Sequence, residues 1–468
     1  MDDEDRLLSL SIVEPSKISF QYTTERSSFL TNLLNIFILL ISCPILIFFL
    51  ILMYFSSFFR RKVGTTYAFR KTQFNLDLVS KLQETVGHYS PPWWYNLHLG
   101  SLLPFGKSPN LLFERQIFIH SDNTEFAVDW YPESPRSRFG KEQNESGTII
   151  TLFLPGLGLS SDANIAQAYS KCHSSIGNIC GIIVPRGHPT SKIPWKTLKP
   201  WHGDCTDDLK LVLHELKNFA DIKSIQLKVF LAGYSASTNI IAMTLSDLST
   251  EKVSFFSPES TLEIIGAMLV CANYDYVDTM HKLEANFVGN IYSRLLVTQF
   301  KMFFESNSQL HNQLNKEQLQ SLRSAQLISE YDKAAYNLYG YSSLDEMYMR
   351  LSPKHILNKI KCPIITIVAE DDPLYLFSHG SVQKGIPLEK YTSNPNIFFM
   401  SPSHGNHFGF YDGSLLEIYS NKISYIFPPK VSIAFTKLIL EYKLNEKINE
   451  VQGSSYEEIS FVLKNTYQ

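Results

Sequence analysis

One serine stands where it can act as a nucleophile. Ser235 follows an apolar, β-prone run, Val229 to Ala232, and lies between small residues in Gly233-Tyr-Ser-Ala-Ser237. A helix is predicted to begin at Thr238. A serine at a sharp turn between a buried strand and a helix has the layout of a nucleophile elbow, which lifts the hydroxyl above the sheet edge. Because short patterns also arise by chance, an ordinary strand-to-helix turn is the alternative.

Two later stretches supply a candidate acid and a candidate base. The apolar run Ile364 to Val368 leads to Asp371 and Asp372, and a carboxylate after that run can orient a catalytic imidazole. His404 and His407 lie in a glycine-containing loop after another apolar run. A histidine there can serve as general base, and His407 is favoured because it lies deeper in the loop motif. Taken alone, Asp-Asp-Pro is also typical of a plain turn, and the histidine of a solvated loop.

An upstream turn supplies the remaining part of a site. Leu152-Phe-Leu-Pro-Gly-Leu-Gly158 is a strand that breaks into a Pro-Gly turn. In an α/β hydrolase this loop and the residue after the nucleophile donate the two N–H groups of the oxyanion hole, which makes Leu157 and Ala236 the candidates. The order of loop, serine, aspartate and histidine is that of an α/β-hydrolase fold. This chemistry needs no cofactor and no metal.

The elements that must position these residues alternate between strand-length apolar runs and helical patterns. This alternation predicts an α/β fold with a mainly parallel sheet and helices on both faces. The predicted strands are Thr148 to Leu154, Cys180 to Val184, Val229 to Ala232, Ile264 to Cys271, Ile364 to Val368 and Ile397 to Met400, and the clearest helices are Cys205 to Phe219 and Val431 to Tyr442. Residues 281–350 break the alternation and are predicted to form a helical cap insert, with ordinary helical core as the alternative.

A long apolar segment precedes this region. Leu33 to Phe55 runs for 23 residues without a charge, which is enough for a helix to cross a bilayer core of about 30 Å. We therefore expect a single-pass anchor in the endoplasmic reticulum or plasma membrane. Its orientation stays open, because basic residues 60–62 favour a cytosolic domain whereas the Asn144 sequon has meaning only on the other side.

Length and composition set the remaining limits. The chain has 468 residues, 19% charged and 44% hydrophobic, with a formal net charge of −3 and no basic block, so no nucleic-acid partner is expected. Its six cysteines are scattered without zinc spacing, and most are expected to be buried apolar residues. The predicted organisation is a polar tail (1–28), the anchor (29–59), a hydrolase domain (63–445) and a second tail (446–468). Nothing in the sequence predicts a protein partner.

With these parts in place, the chain resembles the membrane-anchored α/β-hydrolase domain-containing proteins, in particular their monoacylglycerol lipase branch. The matching pieces are the anchor, Leu154-Pro-Gly-Leu157, Gly233-Tyr-Ser-Ala236, Tyr339-Gly-Tyr-Ser-Ser343, Ala369-Glu-Asp-Asp-Pro-Leu374 and His404-Gly-Asn-His-Phe-Gly-Phe410. The resemblance implies a lipase or esterase acting on acylglycerols, with Ser235, Asp372 and His407 as catalytic triad. Ser237 and Asn406 depart from it, since the family usually has glycine at both positions.

Two other functions remain open at this stage. An acyltransferase would use the same triad but pass the acyl group to an alcohol instead of water. A non-catalytic lipid-binding protein or receptor on a hydrolase fold is the other alternative, and the two departures from the family pattern are the reason to keep it.

Overall fold

A single sheet of eleven described strands organises the fold. The structure, a computed structural model, describes residues 16–18, 64–87, 89, 111–139, 149–188, 201–251, 255–305, 311–312, 314–407, 409–410, 427–449 and 460–466. The predicted anchor (29–59) and the Asn144 sequon lie outside these residues. Among the helices that are described, none has both the length and the apolar character needed to cross a bilayer.

The six strands predicted from the sequence are the six that pair in parallel. The strands are β1 (Ser16–Ile18), β2 (Gly64–Arg70), β3 (Phe113–Ile119), β4 (Glu125–Tyr131), β5 (Ile149–Leu154), β6 (Ile179–Val184), β7 (Leu227–Tyr234), β8 (Leu262–Val270), β9 (Ile364–Ile367), β10 (Ile397–Pro402) and β11 (Ser460–Thr466). Their order in the sheet is β1-β3-β4-β6-β5-β7-β8-β9-β10-β2-β11. Strands β5 to β10 run parallel and are almost wholly buried, which explains their continuous apolar sequences.

The five strands that the sequence did not reveal are antiparallel and lie towards the two ends of the sheet. β3 and β4 carry a buried ion pair, Arg115 Nε to Asp129 Oδ1 at 2.6 Å, and such charged positions mask the apolar pattern of a strand. β1 and β11 fall within the two predicted tails. The loose tail predicted for 446–468 therefore differs from the structure over Ser460–Thr466, where the chain pairs with the edge strand β2.

Helices cover both faces of the sheet, as predicted. They are α1 (Gln73–Thr85), α2 (Pro135–Phe139), α3 (Asn164–Ser174), α4 (Thr206–Lys223), α5 (Ser237–Leu248), α6 (Tyr276–Ala285), α7 (Phe287–Glu305), α8 (Lys316–Ser324), α9 (Ile328–Ala335), α10 (Leu344–Arg350), α11 (Pro373–His379), α12 (Val382–Gly385), α13 (Leu388–Ser393) and α14 (Phe427–Asn449), with 3-10 turns at Pro353–His355 and Leu357–Lys359. Neighbouring residues of β7 show the two layers. Phe230 packs in one core with Phe435 of α14, and Leu231 packs in the other with Leu213 of α4.

The segment predicted as a cap is helical. Helices α6 to α10 occupy Tyr276–Arg350, so helical structure begins five residues before the predicted start at 281. These helices form small cores of their own, one around Phe304 and Tyr331 and one around Met280 and Tyr348. The segment is thus a packed helical unit, and its role as a cap over the site stays a prediction.

The described cysteines are free thiols. Four are buried, as expected, and one is half-buried: Cys180, Cys205, Cys271 and Cys362, and then Cys172.

Candidate active site

Ser235 occupies a strained turn at the end of β7. Its φ is +53°, a left-handed value that costs energy for a residue with a side chain. The turn is held by its backbone, because the N–H of Ser235 donates to the carbonyl of Val270 at 2.8 Å and the N–H of Thr238 donates to the carbonyl of Ser235 at 3.0 Å. With α5 beginning two residues later, this is the strand–turn–helix geometry of a nucleophile elbow.

Glycines let neighbouring backbones approach this turn. A Cβ at Gly233 would lie 2.6 Å from Cδ1 of Ile241 and 3.2 Å from the carbonyl oxygen of Ser237. A Cβ at Gly156 would lie 3.3 Å from Cβ of Ser235. The Pro-Gly turn predicted as the oxyanion loop is therefore packed directly against the candidate nucleophile.

Ser237 fits the elbow despite replacing glycine. The residue is 1% exposed, and its hydroxyl donates a hydrogen bond to the carbonyl of Pro155, the first residue after β5. The side chain that departs from the family pattern therefore connects the elbow to the neighbouring loop. This hydrogen bond could not be predicted from the sequence, because the two residues lie 82 positions apart.

A continuous hydrogen-bonded chain joins the predicted serine, histidine and aspartate. Oγ of Ser235 lies 2.8 Å from Nε2 of His407, and Nδ1 of His407 lies 2.8 Å from Oδ2 of Asp372. With the carboxylate ionised, Nδ1–H donates to Asp372 and leaves Nε2 to accept the serine proton. His407 and Asp372 are 3% and 0% exposed, so the pair is shielded from water.

Asp372 is fixed as the N-cap of α11. Its Oδ1 accepts the N–H of Leu374 at 2.9 Å, while the other carboxylate oxygen faces the imidazole. The cap hydrogen bond therefore orients the carboxylate towards the histidine. Pro373 at the first helical position is typical of such a start.

The neighbouring aspartate holds the histidine loop. Asp371 Oδ1 accepts the N–H of Asn406 at 2.8 Å, and its Oδ2 lies 3.4 Å from Nδ1 of His404. Asn406 has a φ of +44°, which explains why glycine is usual there, and asparagine is among the side chains that best tolerate that region. Its Oδ1 also accepts the N–H of Gly409 at 2.6 Å, which closes the loop behind His407.

Leu157 and Ala236, the two predicted oxyanion donors, lie in the two segments next to Ser235. Leu157 follows Gly156 in the loop against Ser235, and Ala236 precedes α5. Within the described residues, neither backbone amide donates a hydrogen bond to another group of the protein. Nε2 of His188, a residue not singled out from the sequence, lies 3.2 Å from the carbonyl of Gly158. Burial lowers the pKa of His188, so the neutral ring can donate to that carbonyl.

A polar cavity lies beside the N-terminus of α4. Its volume is about 280 Å³, and it separates the N-terminus of α4 from the cap. The lining includes Arg186, His202, Asp204, Tyr339 and Arg350, and burial is the main reason that the pKa of His202 falls to about 3. Neither Ser235 nor His407 lines this cavity.

One cluster of side chains has the spacing of metal ligands. Single ligand atoms of Cys271, Asp372 and His407 lie within 4.8 Å of one another. However, His407 and Asp372 are already hydrogen-bonded to each other, and burial raises the pKa of the Cys271 thiol well above its usual value. This donor set does not fit a metal site at neutral pH, and the expectation of cofactor-free chemistry stays a prediction.

Comparison with known proteins supports the resemblance found in the sequence. No family model matches the chain. It is 21% identical over 336 residues to monoacylglycerol lipase ABHD2 of Mus musculus, covering 70% of this chain and 75% of that protein. It is 23% identical over 336 residues to phospholipase ABHD3 of Mus musculus (70% and 74%), and 23% identical over 358 residues to abhydrolase domain-containing protein 2 of Drosophila melanogaster (72% and 81%). The resemblance to the α/β-hydrolase domain-containing proteins is thereby confirmed.

Solved structures give more distant matches. The Pyrococcus furiosus esterase Pf2001 aligns with a TM-score of 0.37 and 17% identity over 69% of this chain and 91% of that one. Candida antarctica lipase A aligns with a TM-score of 0.37 and 12% identity over 63% and 72%.

Proposed function

We propose that this chain is a membrane-anchored serine hydrolase that cleaves carboxylic esters of lipids, with acylglycerols as substrates. The observation that carries the proposal is the hydrogen-bonded chain Ser235–His407–Asp372, set at an elbow beside a Pro-Gly loop. A nucleophile, a base within hydrogen-bond reach and a third group that orients the base are what covalent ester hydrolysis requires.

The proposed reaction has two halves. Oγ of Ser235 attacks the ester carbonyl as its proton passes to Nε2 of His407, and Asp372 stabilises the imidazolium that forms. The amides of Leu157 and Ala236 bind the oxyanion of the tetrahedral intermediate. His407 then returns the proton to the leaving alcohol, and water releases the fatty acid from Ser235 by the same steps.

The relatives support the substrate class. One is named a monoacylglycerol lipase and another a phospholipase, so the prediction of a carboxylic ester hydrolase is confirmed at this level. That the esters are acylglycerols is the more specific part of the proposal. Anchoring by residues 33–55 would keep the site at the membrane where such lipids reside.

A fluorophosphonate probe tests the nucleophile. We expect the full-length protein to be labelled and the Ser235→Ala variant, with an unchanged circular dichroism spectrum, to remain unlabelled. Failure of the folded wild type to react would exclude the enzyme and leave the non-catalytic alternative.

Product analysis tests the substrate and the acceptor. The labelling-competent protein is incubated with a monoacylglycerol and, separately, with a phospholipid of the same acyl chain. Release of fatty acid from the monoacylglycerol supports the proposal. Transfer of the acyl group to an added alcohol in place of hydrolysis would identify an acyltransferase instead.

A further inference from the structure

One helix of the cap exposes four large apolar side chains on one side. Within the described residues eight large hydrophobic side chains are exposed, and four of them belong to α7. They are Phe287 (82% exposed), Ile291 (44%), Leu295 (50%) and Met302 (62%). Spacings of four and seven residues bring all four to one side of a helix, so they form a stripe and not scattered exposures.

The opposite side of α7 packs inward, which makes the helix amphipathic. Val297 and Phe304 are 3% exposed each and belong to the core of the cap. Arg294 and Lys301 lie on the same helix, while its acidic Glu305 is paired with Arg323 at 2.7 Å. A helix with an apolar stripe and cationic neighbours is suited to the interface of a bilayer.

The same helix borders the candidate active site. A Cβ at Gly158, in the predicted oxyanion loop, would lie 4.0 Å from Oε1 of Gln299. The rings of Tyr292 and Phe377 stack with centroids 5.4 Å apart, and Phe377 belongs to α11, the helix capped by Asp372. The exposed stripe therefore lies on the part of the cap that touches both the oxyanion loop and the acid helix.

The chain enters the domain at the same edge of the sheet. The carbonyl of Gly64, at the start of β2, accepts hydrogen bonds from the N–H (2.9 Å) and hydroxyl (2.7 Å) of Ser403, four residues before His407. The apolar segment expected to cross the membrane, residues 33–55, ends nine positions before Gly64. The eight residues from 56 to 63 can span at most about 29 Å, so an anchor formed by this segment would hold the bilayer near the edge that carries Ser235.

From the stripe, its place beside the site and the entry point of the chain, we propose that the exposed face of α7 docks onto the lipid bilayer and presents the active site to membrane-resident substrate. This inference rests on the proposed function and adds the surface through which the enzyme meets its lipid. A docked helix would also remove four large apolar side chains from water.

Lipid-quenching fluorescence tests the docking. A single environment-sensitive fluorophore is attached through Leu295→Cys in the full-length protein, in a background with Cys43→Ser, Cys172→Ser and Ser235→Ala. The matched control is Ile222→Cys, which replaces a residue 81% exposed at the far end of α4, at the opposite edge of the sheet. In vesicles of anionic phospholipid, we expect brominated lipids to quench the label at 295 and not at 222. Equal quenching at both positions overturns the proposal. A blue shift in the emission of the label at 295 that depends on protein concentration and occurs without quenching also overturns it, because it would indicate contact with a second copy of the chain.

An activity measurement separates docking from chemistry. We expect Leu295→Asp to lower hydrolysis of monoacylglycerol in vesicles by about tenfold and to leave a water-soluble short-chain ester unaffected, with Ile222→Asp changing neither. An equal loss on both substrates would indicate a damaged cap and contradict the proposal. If the wild type hydrolyses neither ester, the proposed function fails, whereas the quenching result still decides the docking.

Discussion

The hydroxyl of Ser237 donates a hydrogen bond to the backbone carbonyl of Pro155. Ser237 opens α5 directly behind the candidate nucleophile, and Pro155 opens the loop that contains Leu157. The contact ties together the two segments that would supply the oxyanion donors. Glycine at position 237 would leave the loop without this tie.

We expect Ser237→Ala to lower kcat by about tenfold, less than the loss caused by removing an oxyanion donor outright. The substitution keeps the Cβ and deletes only the hydroxyl, so the loop loses one of its restraints while Ser235 and His407 stay in place. KM should change little, because the effect falls on the transition state. Steady-state kinetics on a soluble ester measure both parameters.

Ser249→Ala is the matched control for this prediction. Ser249 is buried at the end of the same helix, and its hydroxyl donates to the carbonyl of Leu245 at 2.6 Å. Both variants should lose about 1 kcal/mol of stability from a deleted hydrogen bond, but Ser249→Ala should retain wild-type kcat. Equal kinetics in the two variants would show that the Ser237 hydroxyl is only structural.

The two adjacent aspartates should differ sharply in their effect on catalysis. Asp372→Asn should lower kcat by about 10⁴, because an amide in place of the carboxylate favours the wrong imidazole tautomer. Asp371→Asn retains an oxygen that can accept the N–H of Asn406, and we expect a loss of about tenfold or less. The kcat values of the two folded variants on one soluble ester provide the comparison, and a larger loss at Asp371 would exchange their assigned roles.

Position 406 should tolerate glycine better than alanine. At a φ of +44°, alanine would add a backbone cost of about 1–2 kcal/mol that glycine avoids. Both variants lose the acceptor for the N–H of Gly409, so they differ chiefly in that strain. Thermal unfolding and kcat should therefore rank asparagine first, glycine second and alanine last. Equal values for Gly and Ala would show that the left-handed conformation does not hold the loop.

The sequence predicted the parts of the fold and site that are local. Parallel strands buried on both faces, such as β7 and β8, are continuous apolar runs, and each candidate catalytic residue follows one of them. Because parallel strands bring their carboxyl ends to one edge, the order of the runs was enough to expect Ser235, Asp372 and His407 close together.

The parts that escaped prediction depend on partners far apart in sequence. Arg115 and Asp129 give two buried strands a polar sequence, because the sequence does not show that the two charges pair with each other. Ser237 departs from the usual elbow sequence, and its hydrogen bond to Pro155 is seen only in the structure. Strand β11 is not recognisable from its own sequence, because it forms by pairing with the neighbouring strand β2.

The stability of the cap should fall as the pH rises. Asp332 of α9 is buried, and this burial raises the pKa of its carboxyl to about 7, against the opposing effect of a 2.9 Å hydrogen bond from the hydroxyl of Tyr348. The pKa of an unfolded aspartate is about 3.9, so the folded cap binds the proton more tightly. The stabilisation of the folded cap by protonated Asp332 is therefore complete below about pH 4 and is lost as the pH rises through about 7. The loss in the free energy of unfolding is on the order of a few kcal/mol.

Amide hydrogen exchange measures this loss in the cap itself. After correction for intrinsic rates, amides of α9 should exchange faster at pH 8 than at pH 5, whereas amides of α4, in the hydrolase core, should show no such difference. Asp332→Asn removes the titrating group and keeps an acceptor for Tyr348, so the pH dependence of α9 should disappear in that variant. A pH dependence that survives the substitution would assign the effect to another group, and the Glu284 carboxylate, whose charge also raises the pKa of Asp332, would be the next to replace.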